Sequence, residues 1–166
     1  MISHLEKNEL NIEKSRHDLN DIVNLAISHL SLIVESKNGK ISFDNQAENT
    51  QIVGNETHLI NVFVNILDNA AKYNNNRPQI LIKTKNINDK VIVDIEDNGI
   101  GMTKSVQSKI FDKFYRKQTG DVHDVKGHGL GLAYVKKIID FHNGNINVES
   151  TLGKGSVFSI QLGLFK

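Results

Sequence analysis

Residues 79–85, Gln-Ile-Leu-Ile-Lys-Thr-Lys, and 90–97, Lys-Val-Ile-Val-Asp-Ile-Glu-Asp, alternate apolar and polar side chains on either side of Asn88-Asp89. A period of two sends every second side chain to one face, so the pair reads as a β-hairpin with one apolar face. Such a face has to be covered, and the covers are legible too. Leu19, Ile22, Val23, Ala26, Ile27, Leu30, Ile33 and Val34 recur at helical spacing behind a capping Asp18 and stop at Asn38-Gly39. Leu59, Val62, Phe63, Ile66, Leu67 and Ala70 do the same behind Asn55, and a third apolar run spans Leu130 to Phe141. Residues 40–45, 50–54, 145–150 and 156–162 read as further short strands, and a short helix is expected around Gln107 to Phe114. Helices interleaved with hairpins predict an α+β fold: a two-layer α/β sandwich, its mixed, mostly antiparallel sheet packed under helices.

The bulk numbers remove function classes rather than choose one. A chain of 166 residues, 39% hydrophobic and 23% charged, has apolar mass for one core. Lys and Arg number 20 against 19 Asp and Glu, so no basic excess points to nucleic acid. Cysteine is absent, which removes disulfides and thiolate metal sites. No apolar run has bilayer-spanning length and the start has no signal-peptide pattern, so a cytoplasmic, soluble chain is expected.

Three segments have residue types suited to chemistry. Asn65, Asn69 and Lys72 are spaced i, i+4, i+7 and so share one side of a helix. Asn is a mediocre helix former, so two of them one turn apart are a local cost. Amide oxygens are hard neutral ligands suited to Mg²⁺, which binds largely through waters and substrate phosphates. A solvated flank accounts for that helix equally well. In the second segment, Asp97 follows Val91, Val93 and Ile95 in parity, so its carboxylate falls on the core side, where it needs a partner such as a ligand amine. An Asx-type turn explains the local sequence as well. In the third, Gly127, Gly129 and Gly131 open a helix, where backbone N–H groups attract anions. That spacing is neither the dinucleotide-binding nor the phosphate-loop pattern, and a flexible linker would read the same way.

In order, Asn-x-x-x-Asn-x-x-Lys-Tyr, Asp-x-Gly-x-Gly, Phe-x-x-Phe-Tyr-Arg, Gly-x-Gly-Leu-Gly and Gly-x-Gly-Ser closely resemble the ATP-binding domain of sensor histidine kinases. That superfamily includes DNA gyrase, the MutL repair ATPases and the ninety-kilodalton heat-shock chaperone. The resemblance runs over roughly residues 15 to 164 and implies ATP held between the helices under a mobile lid, with Mg²⁺ as cofactor. Carried onto this chain, it makes Asn69 the metal ligand and sets Asn65 beside the metal and its waters. Lys72 becomes a phosphate contact, Tyr73 an adenine neighbour and Asp97 the adenine reader, with Gly99 and Gly101 leaving room for the base. Phe111, Phe114, Tyr115 and Arg116 match the box edging the lid, Arg116 facing the terminal phosphates. Gly127, Gly129, Leu130 and Gly131 match its phosphate side, and Ser156 the support of the aspartate. His128 fills a variable position and receives no role. The lid itself is expected over Tyr115 to His128, where no apolar period anchors the chain.

Two departures shape the functional expectation. Hydrolysing members of the superfamily have a glutamate where this chain has Asn65, and an amide has no useful basicity at neutral pH. The phosphoacceptor box is also missing: Arg16-His17-Asp18-Leu19 imitates its start, but position 22 is Ile and the single proline is Pro78. His17-Asp18 therefore reads as a helix cap. Residues 1–14 resemble the end of a dimerisation helix or a linker, and 15–166 the catalytic domain. The resemblance implies a monomeric fragment of a homodimeric kinase anchored in the bacterial inner membrane. Its partners would be its own dimerisation and phosphoacceptor domain and a response regulator, with no nucleic acid. The alternatives are an ATP hydrolase of the gyrase or chaperone type and a catalytically inert nucleotide-binding module.

Overall fold

The computed structural model describes residues 12–115 and 129–166. In chain order these form β1 (Ser15–Asp18), α1 (Leu19–Ser36), β2 (Lys40–Asn45), β3 (Gln51–Gly54), α2 (Glu56–Lys72), β4 (Gln79–Ile87), β5 (Lys90–Asp97), α3 (Lys104–Gln107), α4 (Gly131–Phe141), β6 (Asn145–Thr151) and β7 (Gly155–Gly163). One sheet has the order β2-β4-β5-β7-β6, and β1 and β3 form a second, two-stranded sheet. Only the β2–β4 pairing of the large sheet is parallel. The predicted α+β sandwich with a mixed, mostly antiparallel sheet is the fold observed.

The alternation that defines the hairpin also sets its register. Ile82 lies opposite Ile95 and Thr84 opposite Val93, and all four are buried. The other face mixes Leu81 and Ile92 with Lys83, Lys85, Asp94 and Glu96, and Lys85 pairs with Asp94 at 2.9 Å. A one-residue slip would exchange the two faces, so burial of one of them fixes the pairing. Over the apolar face lie Leu59, Val62, Phe63, Ile66, Leu67 and Ala70 of α2, every one buried as their spacing predicts. Each large apolar side chain withdrawn from water contributes about 1.5–3 kcal/mol. The long helices start where expected. Asp18 Oδ1 accepts from Asn20 N at 2.8 Å and from the Thr50 hydroxyl at 2.7 Å, so the cap of α1 also fastens it to the chain before β3. Asn55 Oδ1 accepts from His58 N at 3.0 Å and caps α2.

Three details differ from the sequence reading. Ser15–Asp18 is a strand, held by antiparallel pairing with β3, so His17 belongs to β1 and Asp18 alone caps α1. Residues 12–14 are in neither a helix nor a strand. Ile33, expected on the buried stripe of α1, is 47% exposed because Leu30 and Val34 already fill the core side of that turn. The short helix lies earlier than expected, at Lys104–Gln107, because Thr103 accepts from Val106 N at 3.4 Å and starts it at once. Beyond it the chain turns irregularly, anchored by Ile110 and by Phe111 edge-on to Phe158 at 6.5 Å.

Candidate functional site

The C-terminal end of α2 and the turn after β5 meet at one peptide. Tyr73 closes α2, its N–H bonding to Asn69 O at 2.9 Å, and its own carbonyl accepts from Ile100 N at 3.0 Å. Asn98 holds the same junction from the other side. Its Oδ1 accepts from Asn74 Nδ2 at 2.7 Å and from Gln79 N at 2.8 Å, and its Nδ2 donates to Arg77 O at 3.1 Å. This explains the Asn-rich loop behind α2, a connection that Asp-Asn-Gly hints at without naming its partners.

Asp97 ends β5 half-buried, directly opposite Ser156 in the register with β7. Its Oδ1 accepts from Gly99 N at 2.8 Å. Burial pushes its carboxyl above the ordinary range, while backbone N–H groups of Gly99 and Ser156 work the other way and the Glu96 charge adds to the rise. The glycines around it are required by packing. A Cβ on Gly99 would lie 2.5 Å from Tyr73 O and 2.8 Å from Asp97 Oδ1. Gly101 and Gly155 adopt φ of 65° and 113°, and a Cβ on either would fall 2.0 Å and 1.9 Å from backbone oxygens of Thr151 and Asp97. Ser150, unmarked by any motif, ties this corner together: its Oγ takes Met102 N at 2.8 Å, donates to Gly155 O at 2.8 Å and meets Ser156 Oγ at 2.9 Å.

On α2 the polar side chains are organised differently. Asn65 Nδ2 donates to Asn61 O at 2.7 Å, which turns its Oδ1 toward α4, where a Cβ on Gly131 would come within 2.6 Å of it. The Asn69 side chain makes no hydrogen bond among the described residues. Lys72 forms an i, i+4 ion pair with Asp68, and Tyr73 is 43% exposed. Helix α4 starts at Leu130 without a side-chain cap bond, so its first N–H groups are not taken by a capping side chain. Gly129, at φ 68°, accepts from Phe114 N at 3.0 Å, and Tyr115 packs half-buried against the core. Residues 114 and 129 are thus neighbours. Arg116, Gly127 and His128, with the expected lid between them, lie outside the described residues.

The fold therefore sets α2 against the start of α4 at Asn65 and Gly131 and against the turn after β5 at Tyr73 and Ile100, with Asn69 and Lys72 on the same helix, while Asp97, Gly99, Gly101 and Ser156 share the β5–β7 corner. Among the described residues no cluster of three or more His, Cys, Asp or Glu is placed to hold a metal ion. The donor set that fits a hard cation is the unpaired amide oxygen of Asn69, needing few protein ligands beside waters and phosphate oxygens.

Comparison with known proteins gives this arrangement a family. Sensor protein RprX of Bacteroides fragilis is 42% identical over 99% of the chain, which spans 32% of RprX. The chain covers about a third or less of the length of the curated relatives it matches, from 14% to 35%. The nucleotide-free catalytic domain of histidine kinase ThkA superposes with a TM-score of 0.80 at 24% identity, covering 92% of this chain and 96% of that one. ThkA solved with the response regulator protein TrrA gives 0.81 at 22% identity, over 99% of this chain and 45% of that one. Residues 54–165, from the end of β3 to the C-terminus, match the family described as histidine kinase-, DNA gyrase B- and HSP90-like ATPases, and the chain belongs to it.

Proposed function

We propose that this chain binds Mg·ATP and presents the γ-phosphate to a histidine on a separate dimerisation domain, as the catalytic domain of a two-component sensor kinase. The observation that carries the reading is the junction at Tyr73, which joins the Asn69 face of α2 to the walled carboxylate of Asp97. Asp97 accepts from the adenine amine, its site kept open by Gly99 and Gly101, while Ser156 supports it and Tyr73 flanks the base. Asn69 holds the metal, Asn65 its waters, and Lys72 exchanges Asp68 for phosphate. Leu130 and Gly131 with Gly129 offer N–H groups to the phosphates, joined by Tyr115, Arg116 and Gly127. Bound Mg²⁺ would neutralise charge on the phosphate oxygens.

Transfer follows from positioning. Asn65 cannot take a proton from water, and its Nδ2 is already committed to Asn61 O. ATP held here without an aligned acceptor stays intact. We place the acceptor on a dimerisation domain preceding residue 15, of which residues 1–14 are the end or the linker. The parent kinase is then a homodimer anchored in the bacterial inner membrane, with this domain monomeric on the cytoplasmic side and a response regulator as its next partner. The complex of ThkA with TrrA supports that last assignment. Incubation with γ-labelled ATP tests the whole reading. The chain alone should neither label itself nor release phosphate at an appreciable rate, and adding the dimerisation domain should give acid-labile, base-stable phosphate on its histidine. Brisk phosphate release by the chain alone would favour an ATP hydrolase, and no transfer with the acceptor present would favour an inert module.

A further inference from the structure

Helices α2 and α4 run antiparallel where they touch, and the contact is a polar seam inside an apolar interface. At one end His142, just past α4, donates from Nδ1 to Ile138 O at 2.7 Å and accepts at Nε2 from Asn55 N at 3.0 Å. At the other end Gly131 faces the Asn65 amide. Between them stands Tyr134, only 8% exposed, whose hydroxyl lies 2.7 Å from His58 Nδ1, with the Asn61 side chain beside it. His58, Asn61 and Asn65 lie on successive turns of α2, and Tyr134 lies one turn after Gly131 on α4. Asn61 links the two: its side chain lies beside the phenol and its carbonyl accepts from Asn65 Nδ2.

We propose that Tyr134 is a positioning residue for the nucleotide site: its hydroxyl, held by His58 beside Asn61, fixes the first turn of α4 against the turn of α2 that carries Asn65. The inference rests on the nucleotide reading above and adds a residue that touches neither nucleotide nor metal. Gly131 and Asn65 approach so closely that any change in helix separation or rotation alters where Asn65 Oδ1 points. An apolar side chain at 134 would fill the interface without specifying that rotation, since apolar packing is not directional. A hydroxyl held at 2.7 Å by His58 and flanked by Asn61 specifies it, and such outer partners commonly set the geometry of a ligand shell.

The test is calorimetric titration of the 166-residue chain with Mg·ATP, paired with urea unfolding. Tyr134→Phe keeps the ring and removes the hydroxyl, and should lower Mg·ATP affinity about tenfold, the low end for loss of support behind a ligand shell. It should also lower the unfolding midpoint, because His58 loses its partner. The double variant Tyr134→Phe/His58→Leu replaces the stranded imidazole with an apolar group. Its midpoint should recover toward the parent while its affinity stays low. Recovery of both together, or single-variant affinity within about twofold of the parent, would overturn the proposal. If Tyr134→Phe does not fold, His58→Leu alone removes the hydroxyl's partner and should weaken affinity likewise, with unchanged affinity counting against the role. A parent that binds no Mg·ATP sinks the nucleotide reading and this inference with it, whereas a parent that binds as tightly as its variants sinks this inference alone.

Discussion

At the β5–β7 corner Asp97 Oδ1 already accepts from Gly99 N at 2.8 Å, Ser150 links Met102, Gly155 and Ser156, and glycines stand where a Cβ would strike backbone. On α2, by contrast, the Asn69 amide has no hydrogen bond among the described residues and Lys72 is engaged by a neighbouring Asp68. The corner is built from main chain on adjacent strands, with little freedom to rearrange. The helix presents side chains that change rotamer within nanoseconds. In the proposed site the base end is thus formed before ligand arrives, and the phosphate end is completed by it. Recognition of the base then rests on shape, and recognition of the metal and phosphates on recruitment.

The largest effect expected from this contrast is on stability. Gly155→Ala places a Cβ 1.9 Å from Asp97 O at a φ of 113°, so backbone has to move. Its unfolding free energy should fall by about 2–4 kcal/mol in urea titration, since strain and a backbone clash coincide. A loss under about 0.5 kcal/mol would mean that the corner is pliable after all.

Asp97→Asn comes next and acts on the ligand. The amide also donates, so against an adenine amine it loses a charge-assisted acceptor, and ATP affinity should drop by about 1.5–3 kcal/mol. Preference for ATP over GTP should shrink with it in competition titrations. Unchanged selectivity would return Asp97 to a purely structural turn.

Acid should separate the two regions. Burial lowers the basicity of His142, outweighing its Nδ1 bond to Ile138 O, with the Lys14 and His58 charges adding to the drop; burial alone lowers His58. A histidine depressed in the folded state contributes stability that is complete above its unfolded value of about 6.5 and is lost as pH falls from there toward the folded value. Asp97 shifts upward, which has the opposite sign: near its unfolded value of about 3.9 the folded state takes the proton first, so acidification there is favourable. Hydrogen exchange between pH 7 and 5 should accelerate along the α2–α4 seam, corrected for intrinsic rates, before it does at the corner. Uniform acceleration would erase the distinction.

The smallest effect concerns Lys72. Asp68→Asn releases its ammonium and removes a negative charge from the phosphate side, so Mg·ATP should bind tighter by about 0.3–0.5 kcal/mol, a surface ion pair's worth. Weaker binding would show that Asp68 itself serves the site.

The large sheet, the three long helices and the caps of the first two are legible because period-two and helical spacing, Asp18 and Asn55 are local signals. Ser15-Arg16-His17-Asp18 has no apolar alternation, and β1 exists only because β3 offers it an edge. The short helix was placed late because its apolar residues follow it while its cap, Thr103, precedes it. The candidate site residues are recognisable as types in a familiar order, and the approach of Tyr73 to Ile100 and of Gly131 to Asn65 follows from the fold. What tightens the site was hidden: Ser150 is an ordinary strand serine, and Tyr134 meets His58 across 76 residues of sequence. Such ties depend on which helix faces meet, and no local pattern encodes that.

The central claim, a formed base end and a recruited phosphate end in one ATP site, is tested most directly by titrating ATP into the parent chain and Asn69→Ala, each with and without Mg²⁺. The account predicts measurable Mg²⁺-free binding that is equal in the two proteins, a gain on adding Mg²⁺ in the parent, and loss of that gain in the variant with stability retained. An equal Mg²⁺ gain in both proteins, or no ATP binding by the folded parent, would contradict it.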